Sequence, residues 1–170
     1  GMISIEQIAK IKKPIIWTLH DTWAFCGAEH YPNKLEDRRY VDGYRKNNRN
    51  KFDRGLDLDR WCWNRKLKNW INPIEIVCPS NWLANISRNS VLMRNWPITV
   101  IPNPLDLNIF KPLEKDFSRI AFNLPISKKL IFFGTISGTQ DKRKGWQFIR
   151  LAIERLRLSS QNIELVLAGP

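Results

Sequence analysis

Apolar residues in this chain fall into short blocks separated by helical-period segments and turn residues, and that alternation predicts its elements. Ser4 with Gln7 three residues on is a capping-box pattern; Ile5, Ile8 and Ile11 follow at helical spacing, and Pro14 forbids continuation. A first helix should therefore end near Lys13. Residues 15–19 (IIWTL) form a run too short for a helix and rich in strand formers, followed at once by His20 and Asp21. Further on, Trp63, Leu67, Trp70 and Ile71 recur at helical spacing until Asn72-Pro73 ends the pattern.

The same grammar repeats downstream. Residues 74–78 (IEIVC) read as a buried strand, Pro79-Ser80 as a turn with Ser80 as N-cap, and residues 81–93 as a helix using Trp82, Leu83, Ile86 and Val91. Residues 98–101 (ITVI) are the next strand. The stretch PNPLDLNIFKP (residues 102–112) contains three prolines, which cannot sit inside a regular element and mark a linker. Beyond it come a short helix around residues 114–123, a strand at 130–134, a loop, a helix at 146–158 and a strand at 163–169. In the last helix Phe148, Ile149, Ala152, Ile153 and Leu156 fall on one side. Strands without period-2 alternation, separated by helices, are the signature of a parallel sheet covered on both faces. The predicted class is α/β, built of Rossmann-like parallel sheet units.

At 170 residues the chain suffices for one ordinary domain or two small ones. Its 43% hydrophobic and 26% charged residues exclude disordered and fibrous classes. No apolar run approaches the ~20 residues of a membrane-spanning helix, so the sequence reads as soluble and cytoplasmic. Cys26, Cys62 and Cys78 have neither CxxC spacing nor even number, which points to reduced thiols, with Cys78 a small core residue at a strand end. The net charge of +12 does change the picture, because it suits a nucleic acid, an anionic membrane or a phosphate-bearing substrate. Half of that charge lies in residues 34–68, where twelve basic residues face six acidic ones.

Candidate chemistry gathers at three places. The loop after residues 130–134 runs into DKRKGW, which sets Arg143 and Lys144 before a helix start, with Gly134, Thr135 and Gly145 close by. Two cations, helix N–H groups and small residues form a possible diphosphate cradle; the alternative is a solvated basic loop. His20 and Asp21 follow a buried strand, where catalytic side chains project in this fold class; the alternative is a histidine that only caps the sheet edge. His30, in a loop, reads as chemically idle. Trp61, Trp63 and Trp70 share one helix with Arg65 and Lys66, a composition suited to anionic lipid headgroups; the alternative is a solvated basic face over an aromatic core face.

Taken in order, the segments IIWTLHDTWAFCGAEHYP, IVCPSNWLANISRNS, ITVIPNPLDLNIFKP and IFFGTISGTQDKRKGWQFI resemble the group 1 (family 4 type) retaining glycosyltransferases that assemble bacterial exopolysaccharides. The resemblance implies a GT-B fold of two Rossmann-like domains. Residues 1–103 would be the latter part of the N-terminal, acceptor-side domain, 104–127 an interdomain linker and short helix, and 128–170 the start of the nucleotide-sugar-binding domain. The chain would then be a fragment, with an incomplete fold. By the same likeness Asn103 and Asp106 fall on the interdomain signature, Lys144 on the basic residue that contacts donor phosphates, and His20 on a histidine near the transferred sugar. Pro104 departs from the family's usual Gly, and Thr135 stands where many members carry a second phosphate-binding Arg, a place Arg143 could fill.

The implied activity is transfer of a sugar from a nucleoside diphosphate sugar to a glycan or lipid-linked acceptor, with no metal and no further cofactor. Acceptors of that kind lie at the cytoplasmic leaflet, so peripheral contact with anionic membrane is expected, through the Trp-rich basic helix. Two rivals from other classes are a basic nucleic-acid-binding module, the less favoured of the partners, and a catalytically inactive folded remnant that works as an interaction module. Strands split between incomplete sheets leave open edges, from which a homo-oligomer is expected.

Overall fold

The computed structural model describes residues 3–32, 37–136, 138–159 and 162–169. The chain is mixed α/β, with short parallel strands in two small sheets. It divides into two compact units, residues 1–105 and 106–170.

In the first unit, strands β1 (Ile16–Thr18), β2 (Glu75–Cys78) and β3 (Ile98–Val100) form a parallel sheet in that order, with Trp17 beside Ile76 and Val77 beside Thr99. Helix α1 (Ile5–Ala9) opens with the expected capping box: the Gln7 N–H donates to Ser4 Oγ at 3.2 Å, and the Ser4 N–H to Gln7 Oε1 at 2.8 Å. It stops at Ala9 rather than near Lys13. Ile5 is its one buried residue, so no apolar face rewards further turns. Helices α2 (Arg39–Asp42) and α3 (Leu58–Asn69) follow. Asp57 caps α3 by accepting the Arg60 N–H at 3.0 Å and also receives Arg39 Nη2 at 2.7 Å. Helix α1 packs on α3, where Arg65 donates from Nε and Nη2 to the two oxygens of Glu6 at 2.8 and 2.7 Å and Trp70 Nε1 donates to the Ile5 carbonyl at 3.0 Å.

Helix α4 (Asn81–Arg88) has Ser80 as its N-cap, as expected, with the Leu83 N–H donating to Ser80 Oγ at 3.2 Å. It ends five residues short of the predicted Met93. Two buried serines divert the chain: Ser90 donates to the Ser87 carbonyl at 2.7 Å, and the Met93 N–H donates back to Ser90 Oγ at 3.1 Å. Such local bonds compete with helical ones. The core unites Leu19, Phe25, Ile76, Leu83 and Met93 with a chain of edge-on and tilted indoles, Trp23, Trp17, Trp70 and Trp96.

In the second unit, helix α5 (Lys115–Ala121) is capped by Glu114, whose carboxylate accepts the N–H groups of Asp116 and Phe117 at 2.9 and 2.6 Å. Strand β4 (Lys129–Gly134) pairs in parallel with β5 (Ile163–Ala168), joined through helix α6 (Trp146–Ser159). Among the described side chains of this unit Ile153 alone is buried, while Phe110, Phe117, Phe122, Phe132 and Phe148 are exposed. Among the described residues, no helix is long and apolar enough to cross a membrane.

Candidate functional site

Leu19, the residue after β1, is buried, and the chain then emerges at His20, which is exposed. Asp21 turns inward along the loop. Its Oδ1 accepts the Trp23 N–H at 2.9 Å, and its Oδ2 lies 2.6 Å from His30 Nδ1. The partner of Asp21 is thus His30, the histidine that reads as idle in the sequence. Thr22 closes the same loop, donating from both its N–H (3.0 Å) and its hydroxyl (2.8 Å) to the His30 carbonyl.

The loop is fastened from behind by Lys66. This side chain is fully buried, and its ammonium donates to the carbonyls of Trp23, Cys26 (3.0 Å) and Gly27 (2.6 Å) while lying over the Trp23 ring. An ammonium has three protons, and here each has a carbonyl. Burial lowers the Lys66 pKa to about 8, which leaves the group charged at neutral pH. Gly27 lies so close to α3 that a Cβ there would sit 2.5 Å from Asp59 Cβ. Two residues on, Glu29 accepts the Tyr44 hydroxyl at Oε1, while its buried Oε2 has no donor among the described residues. Burial first, and the neighbouring Asp59 carboxyl second, push the Glu29 carboxyl up to about 7. Burial also raises Tyr44, and pushes the Cys26 thiol up to about 12.

These positions correct the membrane-facing expectation for much of α3. Trp63 and Trp70 are each 6% exposed and Lys66 is 0% exposed, so none of the three offers itself to a lipid surface. The rings fill the core, and Lys66 spends its charge on backbone carbonyls rather than on headgroups. Trp61 does face outward, 58% exposed, and Arg65 stacks on it at 4.4 Å while paired to Glu6. The spacing carried a usable signal: Lys66 is three residues after Trp63 and four before Trp70, on the side of the helix that those rings occupy. No comparable signal marks Glu29, Tyr44, Asp59 or His30.

The second candidate segment follows β4. Thr135 donates its N–H to the Ala168 carbonyl at 3.0 Å, continuing the ladder one step past Gly134. Residues Lys142–Lys144 form a single 3-10 turn capped by Asp141. Arg143 does not project as a bare cation: Nε and Nη2 spread over Asp141 at 3.0 and 2.8 Å, and the Arg143 N–H joins the same carboxylate at 3.0 Å. Arg143, ahead of every other influence, holds the Asp141 carboxyl below its usual range. Lys144 is exposed and has no ion pair among the described residues. Gly145 adopts a left-handed φ of 77° and offers its carbonyl to the N–H groups of Phe148 and Ile149, so it begins α6. Asn103 and Asp106 are both exposed; Asp106 Oδ1 accepts the Asn108 N–H at 2.9 Å, and its carbonyl accepts that of Phe110 at 2.8 Å. His20 and Asp21 belong to the first unit, Lys144 to the second.

Set against family models, curated proteins and solved structures, the chain finds no match.

Proposed function

We propose that the two units are parts of a retaining glycosyltransferase of the GT-B type, which moves a sugar from a nucleoside diphosphate sugar to a glycan or lipid-linked acceptor. The motif resemblance supports this reading, as do parallel strands joined through helices in both units. The observation that carries it is Lys144, a cation without an ion-pair partner among the described residues, one residue before the glycine that opens α6. In the reaction the bond from the sugar's anomeric carbon to the diphosphate oxygen breaks and one to the acceptor oxygen forms. The acceptor's proton goes to the departing diphosphate. Negative charge grows on that leaving group, and Lys144 together with the first N–H groups of α6 stabilises it. Arg143 braces the turn through Asp141. Calorimetric titration with UDP, GDP and ADP tests the reading: one of the three should bind, and Lys144→Ala should weaken it at least tenfold. Absence of binding by all three, or binding indifferent to Lys144→Ala, would overturn it.

A further inference from the structure

A cleft of about 860 Å3 opens in the first unit among three segments distant in sequence: the turn at residues 43–48, the middle of α3 at Trp63 and Asn64, and the stretch beyond α4 at Val91 and Arg94. Its rims are fixed. The Arg45 N–H donates to Asn48 Oδ1 at 2.9 Å, Asn48 Nδ2 donates to the Gly43 carbonyl at 2.7 Å, and the Val91 N–H donates to the Tyr40 carbonyl at 2.9 Å. Gly43 has a left-handed φ of 83° and lies against the Trp63 ring, so the turn and the helix form one wall.

This wall carries more positive than negative charge. Arg39, Arg49 and Arg65 are each matched to Asp57 or Glu6, whereas neither Arg45 nor Arg94 has a carboxylate partner among the described residues. Asp42 is the single acid among the lining residues. Two cations converging on one concave surface raise its positive potential and attract an anion. Of the other polar lining groups, the Tyr44 hydroxyl is given to Glu29 and the Asn48 amide to the turn, whereas Asn47 and Asn64 each present a donor and an acceptor. The buried indole N–H of Trp63, also in the lining, has no acceptor among the described residues.

We propose that this cleft binds an anionic sugar, Arg45 and Arg94 taking its phosphate or carboxylate and Asn47 and Asn64 its hydroxyls. The planar arginine fork matches either oxyanion, and amides match hydroxyls as donor and acceptor at once. The volume lies within the range of roughly 300–1,000 Å3 typical of small-molecule sites. The assignment uses only residues of the first unit and does not rest on the glycosyltransferase reading.

Calorimetric titration with glucose 1-phosphate, glucuronate and glucose tests it. At least one of the two anions should bind with one-to-one stoichiometry and glucose should not; the stronger of the two identifies phosphate or carboxylate as the preferred group. The double variant Arg45→Gln/Arg94→Gln changes exposed side chains only, and should weaken that binding at least tenfold with an unchanged circular dichroism spectrum. Lys144→Ala should leave it unchanged. Equal binding of glucose, no binding of either anion, or loss of binding in Lys144→Ala rather than in the double variant would overturn the proposal.

Discussion

The ammonium of Lys66 lies 3.9 Å from the centre of the Trp23 ring, and the carbonyl of that same tryptophan is one of its three acceptors. One side chain thereby holds a loop by charge, by hydrogen bonds and by an aromatic face. Lys66→Met keeps the stem but removes all three donors, and should cost on the order of 3 kcal/mol of unfolding free energy in urea titration. Lys66→Arg should not rescue it, because a planar fork cannot meet three carbonyls gathered around one nitrogen.

Gly27→Ala should be nearly as damaging although it adds a single methyl. The new Cβ would meet backbone and Cβ atoms of Asp59 at 2.5 to 2.6 Å, none of which belongs to a flexible chain end. Either the loop or the first turn of α3 must move, at about 2–3 kcal/mol. A fall in thermal midpoint of several degrees checks this, and an unchanged midpoint would show that the loop yields freely.

Glu29 gives stability a falling pH dependence. Its carboxyl titrates near 7 when folded against an ordinary value of 4.5, so between those limits the folded state binds more protons than the unfolded chain. The contribution is full below about 4.5 and is lost as pH rises through 7. Unfolding free energies measured at intervals from pH 5 to 8 should therefore decline, and Glu29→Gln should flatten the decline.

All three cysteines are buried, and burial raises each thiol above its ordinary range. Since the thiolate is the reactive form, an aromatic disulfide reagent should label the native protein slowly and the guanidinium-unfolded protein at once. Fast labelling of any one of the three in native buffer would place that residue at the surface.

Much of the fold was legible because its parallel strands are short, continuous apolar runs between helical segments, although exposed positions such as Ile16 and Phe132 show that they are not covered on both faces. Each of the five runs, from Ile16–Thr18 to Ile163–Ala168, is a strand; four are trimmed by one residue or two, and the run at 130–134 gains Lys129. The end of α4 was not legible, since whether Ser87 and Ser90 bond inward depends on burial that only the tertiary fold supplies. Lys66 shows the same limit in electrostatics. A lysine in a basic stretch reads as a solvated charge, and only the loop folded over α3 supplies carbonyls to reverse that reading. At the candidate site, the emergence of His20 and Asp21 after β1 could be read from the strand run, but the Asp21–His30 contact joins residues nine positions apart across a loop whose path no local pattern specifies.

The carbonyl cage around Lys66 also makes this residue an internal clock. An amine whose three protons are all committed inside the protein presents no lone pair to an acylating reagent, so acylation must wait for the loop to part from α3. The rate at which Lys66 is acetylated, followed by peptide mass against the exposed lysines of the same chain, would count those partings one by one.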